Sequence, residues 1–152
     1  MSGQSTVRQR TLWWSFFAVV LAALTLAAGT AQARTVNVNE RASLHLTRKS
    51  GSTIYQAGTA TGTLPGTITS RFHVTVTRVT GSFKVTTRGG TLTMSVNGSP
   101  RSGGTVARFA GTMRVVGGTG KFAGARGSGT FSGTVNRRTW AANVSASGRL
   151  TY

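Results

Sequence analysis

The sequence predicts an all-β protein, an eight-stranded antiparallel β-barrel preceded by a cleavable signal peptide. Three observations carry this. Beyond residue 33 no stretch repeats apolar residues at helical spacing. What recurs instead is a period of two, rich in Val, Thr and Phe. Short Gly-rich breaks interrupt that alternation again and again, which suits short strands joined by tight turns.

The first 33 residues stand apart. MSGQSTVRQR carries Arg8 and Arg10 and no acid, an apolar run of about 19 residues follows, and Ala31-Gln32-Ala33 has the small-x-small pattern of a signal peptidase site. These parts predict a Sec-type signal peptide cut after Ala33 and a secreted protein. The alternative is an uncleaved anchor, since the run approaches the length that spans a bilayer. The remaining chain, 34–152, is expected to form one domain. It has no cysteine, so packing and backbone hydrogen bonds must hold it together.

The strands follow in order. ASLHLTRK (42–49) sets Leu44 and Leu46 against His45 and Thr47, and STIYQAGTATGTL (52–64) is a weaker strand broken by glycine. TITSRFHVTVTRVT (67–80) puts Phe72, Val74 and Val76 on one face and Arg71, His73 and Thr75 on the other. SFKVTTR (82–88) leads to Gly89-Gly90, read as a hairpin turn, and TLTMSV (91–96) follows with Leu92, Met94 and Val96 inward. NGSPRSGG (97–104) is a loop by composition. TVARFAGTMRVV (105–116) alternates Ala107, Phe109, Gly111, Met113 and Val115 against Arg108, Thr112 and Arg114. GTFSGTVNR (129–137) turns Phe131 and Val135 one way, and TWAANVSASGRLTY (139–152) aligns Trp140, Ala142, Val144, Ala146 and Leu150. Eight short strands fit a closed barrel or a sandwich. Closure is preferred because it removes the edges that invite aggregation.

The glycine-dense stretch VVGGTGKFAGARGSGTFSGTV (115–135) raises the question of phosphate binding. A phosphate loop needs a glycine where Val115 stands and a Ser or Thr where Phe122 stands. GTGKFA (118–123) has dinucleotide-fingerprint spacing, but a strand follows it rather than a helix, and no Asp or Glu lies downstream for a ribose. No nucleotide or other cofactor is therefore expected. The loop reads as a compact connection, with Phe122 a core plug at a barrel mouth and Lys121 and Arg126 solvated.

Gly117–Gly127 (GGTGKFAGARG) followed by a strand resembles the loop of the dirigent and allene oxide cyclase barrels. Small secreted bacterial proteins of that class carry a very similar stretch before a Gly/Ser/Thr-rich strand. The sharp match covers about 20 residues, and strand count and order agree over most of 42–152. The resemblance implies an eight-stranded barrel around an apolar cavity, a homotrimer, and a role as stereochemical guide of dirigent or cyclase type. Dirigent proteins use cavity aspartates. This chain has none, and its one acid, Glu40, precedes the first expected strand, so no catalytic residue is carried over.

Two binding readings remain beside that guide. A small apolar ligand in the barrel would touch Phe72, Phe83, Phe109, Phe131 and Trp140; equally, these rings would simply fill the interior. Alternatively the polar phase lines the lumen, which would bring His73 beside Arg71. The second reading rests on charge. Lys and Arg number 18 against one acid; without Arg8 and Arg10 the net charge is about +15. Such a surface attracts polyanions, and Arg108, Arg114, Arg137, Arg138 and Arg149 lie on or beside the C-terminal strands. Secretion argues against nucleic acid and for cell-wall polymer, acidic polysaccharide or anionic lipid. An arginine-rich coding bias that serves only solubility would leave the same trace. Two histidines without Cys or Asp are too few for a metal site.

Overall fold

A computed structural model describes residues 32–152. The expected signal peptide lies, apart from its last two residues, outside the described residues. The strands are β1 (Thr35–Ser50), β2 (Thr53–Gly62), β3 (Gly66–Val74), β4 (Val79–Thr87), β5 (Gly90–Pro100), β6 (Val106–Gly118), β7 (Arg126–Asn136) and β8 (Ala142–Thr151). Each pairs antiparallel with the next, and β8 pairs with β1 to close the barrel. The expected eight-stranded antiparallel barrel is present; closure, not a sandwich, is how the edges are removed.

The alternation explains the packing. Leu44, Ile54, Ile68, Val85, Leu92, Val96, Met113, Phe131 and Leu150 are buried on the inner phase. Arg41, Ser43, Thr67, Thr69, Lys84, Thr112 and Arg114 stand exposed on the outer one. Threonine suits that wet face because it is both β-branched and polar. Several inner positions are glycine. Gly133 pairs directly with Phe109 and Gly111 with Phe131. Each ring thus lies across from a residue without a side chain, and the two rings meet at 6.1 Å, tilted by 49°.

Element boundaries differ from the alternation in several places. β1 starts at Thr35, seven residues before 42, because its first half pairs residue by residue with β8 from Thr35↔Thr151 onward. The expected strand 67–80 breaks at Val74. Thr75 Oγ1 accepts from the Arg78 N–H at 3.0 Å, which makes residues 75–78 a turn. Val76, expected on one face with Phe72 and Val74, is therefore 93% exposed at its tip. β5 runs on through Pro100, pairing Asn97–Pro100 with Thr112–Phe109, so the expected loop at 97 begins after Pro100. Proline is tolerated at that strand end, where its missing N–H breaks little of the ladder. Finally, β8 starts at Ala142; Trp140 precedes it, in the turn.

Because the chain meanders, connections alternate between the barrel ends. Those after β1, β3, β5 and β7 share one end; those after β2, β4 and β6 share the other with both termini of the barrel. The glycine-rich loop belongs to the second group. A short 3-10 turn, Gly120–Phe122, drops the Phe122 ring into the barrel end, where it is 0% exposed and packs edge-on against Tyr152 at 5.0 Å. The loop N–H groups are spent on backbone: Lys121 N–H donates to Gly89 O and Thr119 N–H to Thr91 O, both at 2.9 Å. Gly120 has φ +61°, and a Cβ there would meet Gly89 O at 2.4 Å, so glycine is required on both counts. The loop closes one end of the barrel. Lys121 and Arg126 are exposed beside it, as expected.

Candidate functional site

With one end plugged, the cavity opens at the other. A mouth chamber of about 390 Å³ is walled by Leu44, Ile54, Phe72, Val74, Ala107, Phe109, Val135 and Ala142, with Val76, Pro100, Arg137 and Trp140 from the turns at its rim. That volume lies in the range that holds small organic ligands. Below it lies an inner chamber of about 70 Å³, lined by residues including Ala42, Leu64, Phe83, Met94, Met113 and Phe131. Leu44 and Val144 line both chambers and mark the neck between them. The inner space suits little more than a methyl branch or two waters. A larger depression of about 1000 Å³ lies on the outer wall among Arg41, Thr112, Thr130, Ser145 and Ser147. It is mixed in character, shallow and open to solvent.

The five aromatic candidates divide between the chambers. Phe72, Phe109 and Trp140 line the mouth; Phe83 and Phe131 line the inner space. Trp140 is held by an unusual backbone. Its φ is +59°, the one positive value at a non-glycine among the described residues. Such a conformation persists only where neighbours over-determine it. Here Gln56, itself buried, donates from Nε2 to the Trp140 carbonyl at 2.5 Å. Trp140 N–H donates to Asn136 O at 2.6 Å. Asn136 Oδ1 also accepts from the Arg138 N–H at 2.9 Å, which fixes the turn. Lys49 Nζ sits 4.8 Å from the Trp140 ring centroid on the solvent side. Neither Gln56 nor its role was visible as a pattern: a polar residue on the inner phase of a weak strand carries no motif.

The polar phase does not line the lumen. Arg71 and His73 are both exposed on the outer wall, because their neighbours Phe72 and Val74 take the inward positions. His73 Nδ1 shares a 3.0 Å hydrogen bond with Ser52 Oγ there, and His45 is likewise exposed. The cationic candidates are all exposed but form two groups. Arg114 and Arg149 flank Ser128 in the register, in the plugged half of the barrel. Arg108, Arg137 and Arg138 sit at the mouth, where the first two line the cavity.

Glu40 is the residue that sequence reasoning misplaced. It lies within β1, on the inner phase, and lines the inner chamber. Its Oε1 accepts the Leu64 backbone N–H. Its Oε2 is buried with no hydrogen-bond partner. Burial pushes this carboxyl above its ordinary value, and the backbone N–H groups of Leu64 and Thr63 offset part of that rise. The signal that could have found it was the alternation itself: Val36, Val38, Glu40, Ala42 and Leu44 share one phase.

Among the described residues no group of three His, Cys, Asp or Glu side chains could hold a metal ion. Comparison of the chain with protein-family models, with curated proteins and with solved structures returns no match.

Proposed function

We propose that this protein binds one small, largely apolar molecule in the mouth chamber of its barrel, without covalent chemistry. The observation that supports this is the cavity of about 390 Å³, open at one end and walled by aliphatic side chains and three aromatic rings. Its polar lining is sparse: Gln56, Thr75, Arg108 and Arg137. No carboxylate or histidine lines it, so the side chains that usually move protons lie elsewhere. Arg108 and Arg137 at the rim favour a neutral or acidic occupant over a cation. The likeness of the plug loop to dirigent and cyclase barrels is in keeping with a ligand-holding barrel, and secretion would place that ligand outside the cell.

The test is a titration with N-phenyl-1-naphthylamine, a neutral apolar probe whose fluorescence rises out of water. One probe per chain is expected to bind, and Val74→Trp, which fills the mouth from a half-buried wall position, should weaken binding at least tenfold. Probe binding that is absent, or that Val74→Trp leaves unchanged in a folded chain, would contradict the reading.

A further inference from the structure

The open end of the barrel carries more than a cavity. The turn 75–78 lifts Val76 to the tip, 93% exposed, and Val106 at the start of β6 is 55% exposed. Around them the connections at this end hold Arg78, Arg101, Arg137 and Arg138, all exposed, with Lys49 and Arg108 close by. No acid belongs to these connections, and the chain's single acidic side chain, Glu40, lines the inner chamber instead. A single exposed valine is ordinary, but Val76 lines the rim of an apolar cavity open between arginines, and together they make a contiguous apolar patch facing water.

We propose that this end docks on an anionic lipid bilayer, with Val76 entering the headgroup layer and the arginines of the connections on the lipid phosphates. Charge complementarity selects an anionic partner. The exposed valine and the apolar mouth select a lipid surface over a soluble polyanion, because a sulfated or phosphorylated glycan offers valine nothing to enter. The plugged end is basic too, through Arg34, Arg88, Lys121 and Arg126. Its apolar Phe122 is sealed, however, and its exposed Val116 stands on β6, on the wall rather than at a tip. Docking by the mouth would let an apolar ligand pass between bilayer and barrel without crossing water. The inference goes beyond ligand binding: it uses the apolar mouth and the arginines of the connections, and does not require that the chamber be occupied.

The experiment is co-sedimentation with vesicles of phosphatidylcholine, with and without phosphatidylglycerol, using chain recovered from the medium of a secreting host. Arg78, Arg101 and Arg138 do not line the cavity. Their joint replacement by Gln should cost on the order of a hundredfold in affinity for the anionic vesicles, at about fivefold per arginine. It should leave naphthylamine binding intact, which separates this test from that of the ligand. Replacing Arg88, Arg114 and Arg149 by Gln removes the same charge from the other half and should change affinity less than threefold. Val76→Ser should weaken vesicle binding several-fold and leave dextran sulfate binding unchanged. No preference for phosphatidylglycerol, equal losses in the two triple variants, or no effect of Val76→Ser would each overturn the proposal.

Discussion

At the scale of single residues, Glu40 has the clearest physical signature. A carboxylate with one oxygen sealed in an apolar chamber is disfavoured in its charged form, so its folded pKa lies above the ordinary 4.5. The folded state then holds the proton more tightly than the unfolded chain. Stability falls as pH rises from about 4.5 through the raised folded value, and levels off above it. Glu40→Gln keeps an acceptor for the Leu64 N–H and removes the charge. Its thermal midpoint should exceed that of the parent at pH 7, and the gap should close toward pH 4. A variant less stable than the parent at pH 7 would mean that the charged form is solvated or paired. Glu40 escaped the sequence reading because Asn37, Asn39 and Glu40 dilute the β-propensity of 35–41. The pairing with β8 overrides that local weakness.

At the scale of elements, the glycine loop decides which end of the barrel is open. Its sequence lacks the phosphate-loop residues at positions 115 and 122, and its Thr119 and Lys121 N–H groups donate to the backbone of residues 91 and 89. Phe122→Ala removes the largest sealed side chain and should cost about 3–5 kcal/mol by urea unfolding, the range for an aromatic lost from a core. Lys121→Ala, exposed on the same turn, should stay within about 0.5 kcal/mol. A loss below about 1 kcal/mol for Phe122→Ala would show that the loop lies over the barrel without plugging it. The strands were legible because apolar and polar residues alternate along nearly all of them. The turn at 75–78 was not. TVTRVT alternates as well as a strand does, and only the Thr75–Arg78 hydrogen bonds, invisible in a pattern, turn the chain there.

At the scale of the whole molecule, the barrel is polarised. One end is sealed by Phe122 and Tyr152; the other opens into about 390 Å³ between arginine-bearing turns. Closure and strand number followed from the sequence, because eight alternating segments without cysteine have few other ways to hide their edges. That the interior is partly hollow did not follow. Whether inward rings fill a barrel or leave a chamber depends on which of them face glycine, as Phe109 faces Gly133, and register decides that. Trp140 belongs to the same category: its place at the rim comes from a buried Gln56 on another strand.

The central claim is that the chamber holds a molecule. Native mass spectrometry of the chain recovered from the medium of a secreting host, set beside its denatured mass, tests this most directly. The account predicts one extra small mass per chain that is lost on denaturation. A native mass equal to that of the bare chain, unchanged after incubation with the naphthylamine probe, would contradict it.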